Sequence, residues 1–564
     1  MFLENLKLKI SSALKIDQAI FSYPPNSELG DLSLACFNLA KDSGSNPALL
    51  AKELADNLKN NSELKLIFSD IKAVGPYVNF FISFEYLAKN IISTVKKEKN
   101  SYGENKRGEN KRIMIEYSNG NTHKEYHVGH LRNISYGDAI NHLLSANGYY
   151  SLPVSYINDF GIHIAKTIWN WRKDPVYAER PEPKGFLLGK CYAKASKLLE
   201  NDPEAKNEVT AIMKEIESRQ GENYKFWQIS RQWSLDYFNS IYQELNIKFF
   251  HIFYESEVVD DGLKIVKDLI SRGILIKSEG AIIADLEKYN LGVLPIIRSD
   301  GTALYLVADL ALASEKFNKY NLDQSIYVVD IRQSLYFQQL FKILELMGYK
   351  KPLLHLTYDF VTLPDGMMSS RTGNIITYQE LKDKVSGKLL EETKKRHGDW
   401  SLRRIKEVVD NLTLATIKFE MLKVSADKII TFNIAEAAKF DGYTACYIQY
   451  SYARLKSIIR KGGLNIFSGS ADLTKLQENK EKILLLKIAK YPEIIKLAAT
   501  KYNPSELTKY LFELAQLVND YYHEVNILKS ENNIKKARLA LINSVSQVLS
   551  NGFSLLGIKV LEKM

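Results

Sequence analysis

At 564 residues, with 45% hydrophobic and 25% charged residues, the chain is too long for one core and too apolar to be disordered, so three or four folded domains are expected. A formal net charge of +10 suits a polyanionic partner without naming one. No stretch is apolar enough to cross a membrane, the start Met1 to Lys7 does not read as a secretory signal, and the scattered Cys36, Cys191 and Cys446 form neither a disulfide framework nor a zinc-binding CxxC pair, so the cytoplasm is the expected compartment.

Residues 1–95 mix amphipathic helical stretches, such as Pro47 to Leu58, with short strands, such as Tyr77 to Ile82, and read as an α+β domain. Residues 96–112 are almost wholly polar and repeat Gly-Glu-Asn-Lys-Arg at 103–107 and 108–112, which reads as a solvated linker. From 113 to 383 strands and helices alternate, as a Rossmann-type, doubly wound α/β parallel sheet requires, with a largely helical insertion at about 167–242. Residues 384–564 show helical periodicity and few strand-like runs, predicting an all-α domain.

The densest chemistry lies at the start of the third region. Ile113 to Tyr117 predicts a buried strand, Leu131 to Leu144 a helix stopped near Gly148, and Val154 to Ile157 a second strand. The intervening loop therefore sits at the carboxyl end of a parallel strand, where open α/β sheets bind ligands. It ends in His127-Val128-Gly129-His130. Gly129 has no Cβ, so a flat ring can lie on its backbone, while a new helix offers N–H groups and a positive dipole end to phosphate. His127 and His130, protonated or neutral, can donate to phosphate oxygens whose charge grows during transfer, and Lys124 adds a positive charge. This is electrostatic catalysis without a nucleophile.

The flanks Tyr117-Ser118-Asn119-Gly120-Asn121-Thr122-His123-Lys124-Glu125 and Leu131-Arg132 make the chain resemble the arginyl-tRNA synthetases, within the class I aminoacyl-tRNA synthetases that share the HxGH box. The resemblance implies ligation of L-arginine to arginine tRNA through an adenylate, with ATP and Mg²⁺ as a substrate complex, no tightly bound cofactor or resident metal, no membrane partner and a monomeric enzyme. It implies that His127, Val128, Gly129 and His130 hold ATP. Nearly the whole chain takes part, the insertion least.

Asp300 to Ala311 places Tyr305 and Asp309 four apart on one helical face. Spacing alone favours an ordinary exposed face; the resemblance implies that the pair reads a guanidinium, whose planar fork a carboxylate can accept bidentately. It also implies that Ser118, Asn119, Asn121, Asp159 and Gln333 bind the amino acid. His163 and Tyr336 stand where the family commonly has glutamine and histidine.

Leu363 to Asn374 is a polar loop that resembles the class I KMSKS loop, with Met367 at the first lysine and Ser370 at the second. Met368 and Ser369 are implied to touch ATP, and Ser369, Ser370 and Arg371 to close over departing pyrophosphate. Where the second lysine is missing, the family resemblance passes its charge to Lys124.

Tyr443 to Lys456 interleaves aromatic and basic side chains on a predicted helix, a surface on which RNA bases stack, although some of these tyrosines are expected to pack between helices. Tyr447, Gln449, Tyr450 and Arg454 are the implied contacts for the anticodon region, and Tyr77 and Asn79 those of the first domain for the tRNA elbow. Another class I synthetase, a small-molecule nucleotidyl transferase and a catalytically idle RNA-binding relative are the competing readings.

Overall fold

The computed structural model describes residues 1–16, 20–364, 376–463 and 471–564. Strands β1 (Phe21–Ser22), β2 (Leu32–Ala35), β3 (Phe68–Val74) and β4 (Tyr77–Ile82) form an antiparallel sheet in the order β1-β2-β4-β3. Leu34, Val78, Phe80 and Ile82 are buried on it beside the helices Phe2–Leu14 and Pro47–Lys59. The second helix starts as its sequence dictates: Asn46 accepts from the N–H groups of Ala48 and Leu49, and Pro47 occupies the first turn.

The catalytic region is built on β5 (Arg112–Glu116), β6 (Tyr150–Ile157) and β7 (His251–Tyr254), later joined by β11 (Gln324–Asp330) and β12 (Leu353–Tyr358). Between β7 and β11 the strands β8 (Ile276–Ser278), β9 (Ala281–Asp285) and β10 (Val293–Ile297) form a small antiparallel sheet. The main sheet is parallel throughout, in the order β12-β11-β5-β6-β7, with Glu116 opposite both Tyr327 and Val154. Chain order reverses on either side of β5, so the loop after β5 opens at the switch point of a doubly wound sheet. Ile113, Met114 and Ile115 are all buried because helices cover both faces, which is why β5 reads as a continuous apolar run. The insertion consists of the helices Ile162–Lys173, Val176–Glu179, Lys184–Leu198, Pro203–Glu217 and Gly221–Glu244.

The C-terminal region packs the helices Leu402–Leu422, Ala445–Lys461, Asn479–Thr500, Ser505–Glu524 and Asn532–Leu555 around one another. Short strands β13 (Val361–Thr362) and β14 (Ile430–Thr431) pair in parallel, so the chain returns to the catalytic region well after residue 383. No described helix is long and apolar enough to cross a membrane.

The expected solvated linker is corrected by its packing. Tyr102 is buried, stacks on Tyr491 at 6.0 Å and donates its hydroxyl to the Ile488 carbonyl at 3.0 Å, while Asn551 donates to the Lys99 carbonyl at 2.8 Å. Its polar residues face water on one side; the other side packs on the last domain and on the end of the signature helix, where Asn105 donates to the Asn147 side chain at 2.8 Å. The helix that follows the signature loop is gripped in the same way. Arg132 donates to the Ser425 carbonyl at 3.0 Å, and the buried Lys418 ammonium lies 3.3 Å from Asp138 and donates to the Gly557 carbonyl at 2.8 Å.

Candidate active site

The helix Val128–Ala146 begins at the switch point with His127 as its N-cap, in extended backbone conformation. His127 Nδ1 accepts the Gly129 N–H at 3.1 Å, and His130 Nδ1 accepts the His127 N–H at 3.1 Å. Each ring spends its Nδ1 lone pair on the helix start, so each carries its proton on Nε2 and presents it as a donor. A Cβ at Gly129 would lie 2.9 Å from the His127 ring, so the glycine is needed for this folded-back imidazole. Burial, with the nearby Lys124 charge, pushes His127 down to about 4; burial and then the neighbouring His127 and Lys124 hold His130 well below the usual range. Both imidazoles are therefore neutral donors at pH 7, which narrows the protonated-or-neutral expectation.

Lys124 is half-buried, with its ammonium 5.1 Å from the centre of the Tyr192 ring; burial holds its pKa below the usual lysine range. Arg332, paired with Asp330 through Nε and Nη2 at 2.8 Å each, brings a second cation near His127, one to which the sequence reading gave no role. Ile376 and Tyr378 bond to the signature loop: Val128 N–H to the Ile376 carbonyl at 3.2 Å and Tyr378 N–H to the Tyr126 carbonyl at 2.8 Å. The expected Met368, Ser369, Ser370 and Arg371 contacts lie outside the described residues.

At the neighbouring strand ends the side chains are acidic. The helix Tyr305–Tyr320 begins with Tyr305, 64% exposed, and one turn on places Asp309, which accepts a hydrogen bond from the Tyr336 hydroxyl. Burial pushes Asp309 up to about 7 despite that bond. Directly after β7 comes Glu255, pushed up to about 8 by burial and by the carboxylates of Asp309 and Asp159. Its Oε2 has no hydrogen-bond partner among the described residues. Two carboxylates held above their ordinary range, one with an oxygen that has no partner among the described residues, are suited to a cation. The sequence reading missed Glu255; the signal it could have used is an acid placed immediately after a strand, at the ligand-binding edge of the sheet.

Other expected arginine contacts are relocated. Ser118 is fully buried, its hydroxyl between those of Tyr126 at 3.0 Å and Tyr242 at 3.1 Å, so it braces the loop from beneath. Asn119 uses both ends of its amide, donating to Glu116 at 2.9 Å and accepting the Tyr156 N–H at 3.2 Å. Asp159 is also fully buried; it accepts from the backbone and hydroxyl of Ser256 at 2.8 Å each and pairs with Arg231, which leaves it structural. Asn121 stays partly open at its bridge with Asn158, and Gln333 is exposed just beyond β11. Tyr336, which stands where the family commonly has histidine, uses its hydroxyl to orient Asp309.

On the C-terminal region Gln449 is a correction. It is fully buried, donates to the Lys559 carbonyl at 2.7 Å and accepts the Leu561 N–H at 2.9 Å, so it clamps a following segment and cannot meet RNA. The Tyr447 hydroxyl accepts from Asn519 at 2.9 Å and its ring packs on Phe512, so it too sits between helices. Tyr450 and Arg454, four apart, face a cleft of about 430 Å³ whose walls include Trp400, Arg404, Tyr522 and Met564. Arg454 lies over both Tyr450 and Tyr522 at 4.9 and 5.0 Å. In the first domain Tyr77 is exposed and meets Phe37 edge-on at 5.6 Å, whereas Asn79 is buried and accepts from Ser33 at 2.5 Å, which corrects its expected RNA contact.

Three family descriptions match the chain in succession, the catalytic one running past residue 383. Residues 2–82 match the family described as arginyl tRNA synthetase N terminal domain, 91–433 the tRNA synthetases class I (R) catalytic domain, and 448–564 the DALR anticodon binding domain. Arginine–tRNA ligases of Bdellovibrio bacteriovorus and Clostridium perfringens are 35% and 34% identical; the alignments cover 96% and 100% of this chain and 93% and 99% of those proteins. The arginyl-tRNA synthetase of Thermus thermophilus superposes with a TM-score of 0.81 at 25% identity, covering 100% of both chains.

Proposed function

The chain belongs to the arginyl-tRNA synthetases, class I enzymes that join L-arginine to tRNA with ATP, and from that premise we propose how its own residues divide the reaction. In the first step the arginine carboxylate forms a bond to the α-phosphorus of ATP, brought with Mg²⁺, and the bond to pyrophosphate breaks. In the second, the terminal ribose hydroxyl of the tRNA attacks the adenylate carbonyl and AMP leaves. The carboxylate is already ionised, so the first step needs positive charge and N–H donors rather than a base. His127 and His130 supply two Nε2–H donors, the backbone at Val128 and Gly129 the platform for the adenine, and Lys124 the fixed charge. We assign Met368, Ser369, Ser370 and Arg371 to the closing loop over the leaving pyrophosphate.

Asp309 and Glu255 receive the guanidinium, Tyr305 flanks it, and Asn121 and Gln333 are the open polar groups for the α-amino and carboxylate end. Arginine is thus distinguished from lysine by two carboxylates that a planar fork can bridge. Tyr450, Arg454, Tyr522 and Trp400 form a stacking cleft for anticodon bases, and Tyr77 with Phe37 a second platform for the tRNA elbow. The enzyme is proposed to act as a monomer in the cytoplasm, where charged tRNA is used.

The observation that carries the assignment is the placing of paired neutral imidazole donors and paired carboxylates at the carboxyl edge of one parallel sheet. It is tested by arginine-dependent exchange of labelled pyrophosphate into ATP, with and without arginine tRNA. Exchange with arginine, and none with lysine, is the expected result; exchange driven by another amino acid overturns the acidic pocket.

A further inference from the structure

The insertion's helix Lys184–Leu198 lies directly on the signature loop. Gly189 makes the approach possible: a Cβ there would come within 2.4 Å of the Glu125 side chain and 2.6 Å of its backbone nitrogen. Three residues on, and so on the same helical face, Tyr192 brings its ring to 5.1 Å from the Lys124 ammonium. The backbone beside it is pinned, since Asn170 donates to the Cys191 carbonyl at 3.1 Å and the Cys191 thiol donates to the Thr167 carbonyl at 3.4 Å.

We propose that Tyr192 is a positioning residue for adenylate formation, its ring holding the Lys124 ammonium at the mouth of the sheet where the α-phosphate reacts. A lysine on a loop has four rotatable bonds, and a charge left to wander stabilises the developing phosphate charge poorly. The negative face of an aromatic ring holds an ammonium without neutralising it, whereas a carboxylate partner would cancel the charge the phosphate needs. The insertion thereby contributes to the active site through one residue, and the glycine at 189 sets its height. This inference rests on the role given above to Lys124.

The test is pyrophosphate exchange with arginine tRNA present, using Tyr192→Phe, Tyr192→Leu, Lys124→Met and the Lys124→Met/Tyr192→Leu pair. Tyr192→Leu is expected to lower kcat about tenfold with the KM for arginine little changed, and Tyr192→Phe, which keeps the ring, to recover most of that loss. In the Lys124→Met background Tyr192→Leu should have no further effect. Equal losses from Phe and Leu, or full additivity with Lys124→Met, overturn the proposal. A normal rate in Lys124→Met alone instead sinks the role of that lysine, and the inference with it. Should Tyr192→Leu not fold, trifluorophenylalanine at 192 keeps the volume while weakening the ring's negative face, and must lower kcat below that of Tyr192→Phe; an unchanged rate overturns the proposal.

Discussion

His130 accepts the backbone N–H of His127 at 3.1 Å while the two rings lie 3.9 Å apart, so one imidazole builds the turn from which the other donates. Removing the His130 ring therefore takes away a phosphate donor and an N-cap acceptor together. His130→Ala is expected to raise the barrier to adenylate formation by about 3 kcal/mol, as loss of one oxyanion-type donor does elsewhere. Exchange kinetics at saturating arginine measure it, and a near-normal rate would refute the role.

Neither ring should titrate in the working range. With His127 held at about 4 and His130 well below its usual value, kcat at saturating substrates should show no step near pH 6.5. An inflection there that disappears in His127→Asn would overturn the neutral-donor assignment.

Arginine affinity, in contrast, should depend on pH. In the free enzyme Asp309 titrates at about 7 and Glu255 at about 8, and a guanidinium favours the ionised form of both. Binding then releases protons, and affinity falls as pH drops through 8 and 7 towards 6, by up to about tenfold per pH unit for each group. Calorimetry in buffers of different ionisation enthalpy counts those protons; a pH-independent Kd contradicts the pocket.

The same displaced carboxylate weakens the empty protein. Asp309 has a folded pKa above its unfolded value of 3.8, so its contribution to stability is fully present below that value and is lost as pH rises towards 7. At pH 8 Asp309→Asn should stabilise the arginine-free protein by on the order of a few kcal/mol and so raise its thermal midpoint, an effect that shrinks towards pH 5, while arginine binding is lost. Equal midpoints at pH 8 would count against the burial of this charge.

Gln449 and Arg454 should separate stability from RNA binding. Gln449→Ala strands a buried carbonyl and N–H and should destabilise the C-terminal region by about 2 kcal/mol. Arg454→Ala should leave the melting curve nearly unchanged and weaken tRNA binding about tenfold or more, through the lost stacking with Tyr450 and Tyr522. Filter binding and thermal denaturation of both variants decide between them.

What the sequence displayed was chemistry carried by neighbouring residues. The strand-loop-helix around His127 was legible because its apolar run, polar loop and helix start are all local, and strand alternation implied the parallel sheet. Glu255 was not, because it reaches Asp309 only when β7 is laid at the far side of β6. Gln449 and Tyr450 share one implied RNA-contacting stretch, yet one residue on a helix is a turn of 100°, enough to put one in the core and the other in the cleft. The polar stretch around Tyr102 read as a linker because the surface that buries it, near Tyr491, lies far along the chain.

The buried ammonium of Lys418 also sets an order of events during synthesis. Asp138 leaves the ribosome early, Lys418 much later, and the Gly557 carbonyl that completes the set later still. A growing chain can form β5 and the signature helix, but it must wait for hundreds of further residues before that helix has its partner. Domains on a nascent chain ordinarily fold as they emerge. A ribosome that stops short of Gly557 therefore leaves the Lys418 ammonium, buried beside Asp138, without one of its acceptors.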